Sequence, residues 1–251
     1  MVLTTVVFAS VAAVSQGQQS GQPLINKMMT RYSQAESASG TIQQVVTVGS
    51  SKVTMNINVD YVRAEKKIKV NQFLSGATQK QFLLQCDGSV IAMTSPRARD
   101  GFQDWKKIVW YTVAGRNPDS DQPYNQNFGE IYSSATKSLA SSTSQDIVVN
   151  LADHMRFLTA QIVQPKLLGE KELNGETVSV VRAGFRQVRT SPVTGEFEFW
   201  ISDEGDLKKL VHREGVRLDQ IGDQVIVTEE LVNVKVDAKI DAKKFAFQKR
   251  G

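Results

Sequence analysis

Residues 53–63, Val-Thr-Met-Asn-Ile-Asn-Val-Asp-Tyr-Val-Arg, decide how this chain folds. Val53, Met55, Ile57, Val59 and Tyr61 alternate with Thr54, Asn56, Asn58 and Asp60. Successive side chains of a strand point to opposite sides, so the stretch predicts a long strand with one apolar and one wet face. Working outward, strands are expected over 41–48 and 66–74, with Gly49-Ser50-Ser51 as the turn between the first and second. A hairpin of 79–86 and 89–95 then turns at Asp87-Gly88, a dipeptide suited to the positive φ of tight turns.

The same pattern returns after Pro165. Strands are expected over 166–173 and 177–185 around Asn174-Gly175, then over 197–202 and 207–214 around Asp203-Glu204-Gly205-Asp206. Stretches 216–218 and 225–236 complete the series. Between the two blocks lie a polar loop over 96–104, a strand at 106–113 and a loop over 114–128. Helical spacing appears at 130–139. It appears again after Asp146, a candidate N-cap, where Ile147, Val148, Leu151, Met155 and Leu158 share a face. Before the first strand, Pro23 opens a helix whose stripe is Leu24, Ile25, Met28, Met29 and Tyr32. No linker rich in Pro, Gly or Ser divides residues 22–251, so the reading is one α+β domain, a curved antiparallel sheet with helices on one face.

Composition narrows the function. The 251 residues are 41% hydrophobic and 22% charged, with a net charge of +4. The cations are scattered and not interleaved with aromatics, which gives no expectation of nucleic acid as a partner. Val2–Val14 is uncharged and mostly apolar, and a Gln-rich polar tract follows it. This reads as a secretory leader within residues 1–21, cleaved near Ser15 and too short for the ~20 residues of a membrane-spanning helix. Cys86 is the single cysteine, so no internal disulfide forms. An exported or periplasmic, soluble, monomeric protein is expected.

Reactive constellations are sparse. His154 and His212 are the two histidines, and neither stands at metal-ligand spacing from another ligand. No nucleophile elbow or phosphate-binding glycine loop occurs. Glu196 and Glu198 share a strand side and, with His212, are the only acid–base candidates. The simpler reading puts Phe197 and Phe199 inward and the glutamates in water. No enzyme activity, cofactor or metal is expected. What remains is apolar surface, which either fills with the protein's own side chains or shelters a lipid.

In order along the chain, several motifs resemble the LolA-like superfamily of periplasmic lipoprotein carriers and lipoprotein-sorting proteins. They are the helix of Leu24–Tyr32 followed by Ser39-Gly40-Thr41, the strand end Tyr61-Val62-Arg63-Ala64, the hairpin from Cys86-Asp87-Gly88 to Met93-Thr94-Ser95-Pro96, and the closing Val236–Phe247 with its Phe-Ala-Phe. The resemblance implies an incomplete β-barrel whose open side is covered by helices, with acyl chains held between sheet and lid. It implies an inner-membrane donor transporter, an outer-membrane acceptor, and Arg63 as the lid latch. The departures are Ala64 in place of the family's Pro, Lys66 and Lys67 at positions that are often apolar, a longer middle, and a Gln248-Lys249-Arg250-Gly251 end.

The expected cavity residues are Met55, Ile57, Val59, Tyr61, Phe82, Leu84, Ile91, Met93, Phe197 and Phe199 on strands, faced by Ile147, Leu151 and Leu158 from helices. Flexible Met side chains suit irregular acyl chains. The alternative on the same scaffold is an envelope-sensing module with a protein partner.

Overall fold

The computed structural model describes residues 19–74, 82–88, 90–95, 107–112, 142–150, 158–186, 195–214 and 225–246, with backbone alone at 74, 82, 90–95 and 107–112. The expected helix at 130–139, the strand at 216–218, the leader through residue 18, and Leu151 and Met155 lie outside these residues. So do the side chains of Phe82, Ile91 and Met93.

Helix α1 (Gln22–Gln34) leads into strands β1 (Ser37–Val48), β2 (Ser51–Val62), β3 (Lys67–Leu74), β4 (Phe82–Asp87), β5 (Val90–Ser95) and β6 (Lys107–Thr112). Helix α2 (Thr143–Val149) precedes β7 (Ile162–Leu173), β8 (Glu176–Phe185), β9 (Gly195–Ile201), β10 (Leu207–Glu214), β11 (Val225–Leu231) and the short β12 (Lys235–Val236). A 3-10 turn at Ala242–Phe245 closes the described chain. All strands join one antiparallel sheet in the order β6-β5-β4-β3-β2-β1-β11-β10-β9-β8-β7, with β12 on β1. The sheet is curved and unclosed. Each block is a run of neighbouring hairpins, and β1 against β11 is the seam between them, with Ile42 opposite Leu231 and Val48 opposite Val225.

The turns follow their residues. Asn174 and Gly175 both take positive φ, 53° and 82°, as a two-residue hairpin between right-twisted strands requires. Gly88 has φ 98°, a region closed to most side chains.

Two expectations are corrected here. Strand β7 begins at Ile162, ahead of Pro165, because register shifts between Val163 and Lys166 and between Leu167 and Gly169 absorb the proline. Residues 19–21 lie along the outer edge of β7: Ser20 bridges Lys166, Leu167 donates to the Gln19 carbonyl, and Gly21 donates to the Pro165 carbonyl. The stretch 225–236 is two strands, because Asn233 turns its Oδ1 to accept from the Thr41 amide at 2.8 Å and breaks the ladder.

The core lies on one face of the sheet. Positions Ile57, Val59 and Tyr61 of β2 are 0–3% exposed and register with Ile42 and Ala38 on one side and Val70 and Ile68 on the other. Helix α1 adds Ile25, Met28 and Tyr32, each at most 2% exposed. The spacing of three and then four residues along that stripe places one helical face on the sheet. Each such buried side chain contributes roughly 1.5–3 kcal/mol. On the opposite, convex face the closing segment packs Phe245 against the sheet, where Gln85 Nε2 donates to the Phe245 carbonyl at 2.9 Å.

Candidate ligand-binding face

The concave face divides into zones that can be followed along β1 and β2. Toward the start of β1, Ala38, Ile42, Ile57, Val59, Tyr61, Ile68, Val70, Leu84 and Cys86 form a filled cluster with both helices. Leu158, in the helical stretch 158–161 ahead of β7, joins it, as do Ile147, Val148 and Val149 of α2. Of the expected cavity residues, Ile57, Val59, Tyr61, Leu84, Phe197, Phe199, Ile147 and Leu158 therefore meet in one buried cluster, with Met55 packed at its margin.

Across the middle runs a buried polar belt that the sequence reading missed. Gln44 of β1 and Glu229 of β11 are opposite one another in register, each 1% exposed, and both point inward. The Gln44 Nε2 donates to Glu229 Oε1 at 2.8 Å, and the Ser144 amide donates to Glu229 Oε2 at 2.7 Å. Gln72 Nε2 of β3 donates to Gln145 Oε1 at 3.0 Å. Helix α2 thus stands with its polar first turn on the sheet. Its N-cap is Ser142, whose hydroxyl oxygen accepts from the Gln145 amide, and not Asp146 as the sequence suggested. A serine oxygen three residues ahead of that amide has the usual capping geometry, which leaves Asp146 within the first turn.

Beyond the belt the same apolar phase continues with less cover. Val46, Val48, Met55, Val225 and Val227 are partly exposed, and Val53 is 49% exposed. On the other flank an aromatic group fills the face. Phe185 stands edge-on to Phe197 at 5.2 Å, and His212 lies 4.4 Å from Phe197 and 4.7 Å from Phe185. Burial pulls His212 down to about 4, so it is neutral at pH 7.

One side chain joins sheet and helices. From the end of β2, Arg63 donates through Nε to the Ala35 carbonyl at 2.8 Å, through Nη2 to the Tyr32 carbonyl at 2.8 Å, and through Nη1 to the Asn150 carbonyl at 3.1 Å. The first two acceptors close α1 and the third closes α2, where Asn150 takes a left-handed φ of 44°. A cation among the unpaired carbonyls of two helix ends satisfies both hydrogen bonding and the helix dipoles. Asn150 Nδ2 also donates to the Met29 carbonyl at 3.4 Å, tying the helices to each other.

The acid–base candidates do not assemble. His212 is on the concave face, whereas Glu196 and Glu198 are on the convex one. Glu198 is 5% exposed and not in water as expected, because Trp200 Nε1 donates to it at 2.9 Å and Arg182 at 3.2 Å, with Arg213 at 3.7 Å. Burial pushes its carboxyl up, but those donors and charges prevail and hold it below the usual range. It reads as a structural ion, shielded beneath Trp200 and its two flanking lysines, Lys171 and Lys209. No cluster able to hold a metal occurs among the described residues.

No protein-family model and no curated protein matches the chain. Solved structures are similar to it. The lipoprotein LppX of Mycobacterium tuberculosis is 10% identical, over 88% of this chain and 96% of its own, with a TM-score of 0.43. MucB, in the MucA/MucB complex of Pseudomonas aeruginosa, is 13% identical over 90% of this chain and 60% of its own, with a TM-score of 0.42. A LolA superfamily protein of Nitrosomonas europaea is 10% identical over 91% and 98%, with a TM-score of 0.31.

Proposed function

We propose that this protein binds long apolar chains, the acyl groups of a lipid or lipoprotein, on the concave face of its sheet, and that it does so without catalysis. The observation that carries this reading is the apolar strip of Val46, Val48, Val53, Met55, Val225 and Val227, which continues the core's inward phase but is left partly exposed. Apolar surface left partly in water attracts apolar ligand, at ~0.8 kcal/mol per methylene removed from water. The strip receives the chain's end. Further methylenes enter as α1 and α2 move off, and Arg63 is the latch that holds both helices down when no chain is bound.

In the cell this activity amounts to shielded transfer. An exported, monomeric carrier would take acylated cargo from an inner-membrane donor and yield it to an outer-membrane acceptor. Mass spectrometry of natively purified protein and uptake of a fluorescent fatty acid test the reading. Bound lipid and saturable uptake, both reduced in Val53→Asp, are expected. Absence of both in the intact protein overturns it.

A second reading, an envelope-sensing module, draws on a different feature. A groove of about 500 Å³ at the other end of the sheet is lined by Arg31, Leu173, Asp206, Lys208, Val232 and Val234, among others. Val232 is 60% exposed there. A crosslinked partner lost on Val232→Asp, with fatty-acid uptake unchanged, would favour sensing.

A further inference from the structure

Between the filled cluster and the apolar strip, the concave face holds acceptors that the fold leaves unused. Gln44 stands between Ile42 of the cluster and Val46 of the strip in one alternation of β1, so the three share a face. Its partner across the ladder is Met55 of the strip. Gln72 of β3 lies on the same face, opposite Ile57, the next inward position of β2 after Met55. Both glutamines are at most 2% exposed, yet Gln44 Oε1 and Gln72 Oε1 have no hydrogen-bond partner among the described residues. Ser144 Oγ, 0% exposed, is a third such atom, so the three do not satisfy one another.

The orientation of the Gln44 amide is set by Glu229, whose Oε1 takes a hydrogen from Nε2, so the oxygen is the atom left over. Glu229 is itself occupied, with its Oε2 accepting from the Ser144 amide. A buried acceptor without a donor is costly, and Leu or Met at these positions would complete the core instead. Apolar surface on either side of a few fixed polar atoms is the arrangement that suits a ligand with an apolar body and a polar junction.

We propose that Gln44 and Gln72 form a polar subsite that selects neutral acyl compounds whose junction donates hydrogen bonds, through a hydroxyl or an amide N–H. The inference rests on the acyl-binding reading and narrows the class of ligand that reading admits. A hydroxyl or amide N–H at the junction gives the glutamine oxygens the donor they lack, and the Ser144 hydroxyl can either donate to the junction or accept from it. A carboxylate, a phosphate diester or a simple ester brings acceptors only, and it leaves both glutamine oxygens unpaired. The tail lies along Val46, Val48 and Val53, and the junction reaches the glutamines as α2 moves off them.

Displacement of a bound fluorescent fatty acid by dodecanol, dodecanamide, methyl dodecanoate and dodecanoate reads the preference. Gln72→Met keeps the volume, removes one oxygen and leaves the bonds to Glu229 in place. Comparing the ratio of alcohol to methyl-ester affinity in native protein and variant cancels the ligands' own solubilities. That ratio should be about fivefold higher in the native protein, the worth of one hydrogen bond. Dodecanamide should follow the alcohol, dodecanoate should follow the ester, and the ester should bind the variant at least as well as the native protein. If the variant does not fold, dodecanol against its methyl ether in native protein, each corrected for water solubility, decides the matter, and the alcohol should bind tighter. An equal ratio in native protein and variant, or an ether that matches the alcohol, overturns the subsite and leaves acyl binding standing. No uptake of the fatty acid and no binding of any of these compounds overturns the acyl-binding reading, and the subsite with it.

Discussion

One strand, β2, carries two kinds of surface. Its Ile57, Val59 and Tyr61 are at most 3% exposed beneath the helices, whereas Val53, two alternations earlier in the same phase, is 49% exposed. The chemistry of the side chains barely changes along it. What changes is the cover: α1 and α2 lie on one stretch, and the polar belt of Gln44 and Glu229 marks its limit. A face is set by local alternation, but its occupancy is set by elements distant in sequence. A binding surface can therefore be an unfinished piece of core.

The contrast can be broken most forcefully in the filled region. Phe199→Ala, at a position 0% exposed, should cost about 4 kcal/mol in urea unfolding, from lost transfer energy plus the cavity left behind. A loss below 1 kcal/mol would mean the cluster is not packed as described.

A next test concerns His212. It is neutral in the fold and held down to about 4, while the unfolded chain takes up its proton near 6.5. The unfolded state then binds the extra proton between those values, so stability falls as pH drops through that window, by up to about 3 kcal/mol. His212→Leu should flatten this part of the stability profile, and an unaltered slope would assign it to another group.

Arg63→Ala sharpens the comparison, because it removes three hydrogen bonds without emptying the core. A loss of about 2 kcal/mol is expected. Cys86, buried on the concave face and raised to about 11 by that burial, is a native probe of opening. Its labelling by a thiol reagent should quicken at least tenfold, and an unchanged rate would deny Arg63 a part in closure. The smallest stability effect belongs to the exposed strip. Val53→Ser should change stability by less than about 0.5 kcal/mol yet weaken acyl uptake. The reverse pattern would make Val53 part of the core.

The fold was legible where one rule governed each residue. Alternation gave β2, and Asn174-Gly175 and Asp87-Gly88 gave their turns. The stripe of Ile25, Met28 and Tyr32 gave α1. The belt was not legible, because Gln44 and Glu229 stand in apolar phase and read as strand irregularities until a donor from residue 144 meets them. Their in-phase placement, opposite each other and next to Ile42 and Leu231, was the available signal. Glu198 misled for a related reason. Its phase is outward, but Trp200, Arg182 and Arg213 bury it. Arg63 entered through family resemblance, since nothing local to Tyr61-Val62-Arg63 announces acceptors at residues 32, 35 and 150.

The seam of β1 with β11 has a bearing on assembly. Hairpins within each block can zip from neighbouring residues, but residue 42 waits for residue 231, and closing so large a loop is slow. A polypeptide halted before Val225 would leave β1 and β10 each with a raw flank, open to pairing with other chains. Strand β11, made late in the chain, is thus the keystone that turns two separate ribbons into a vault.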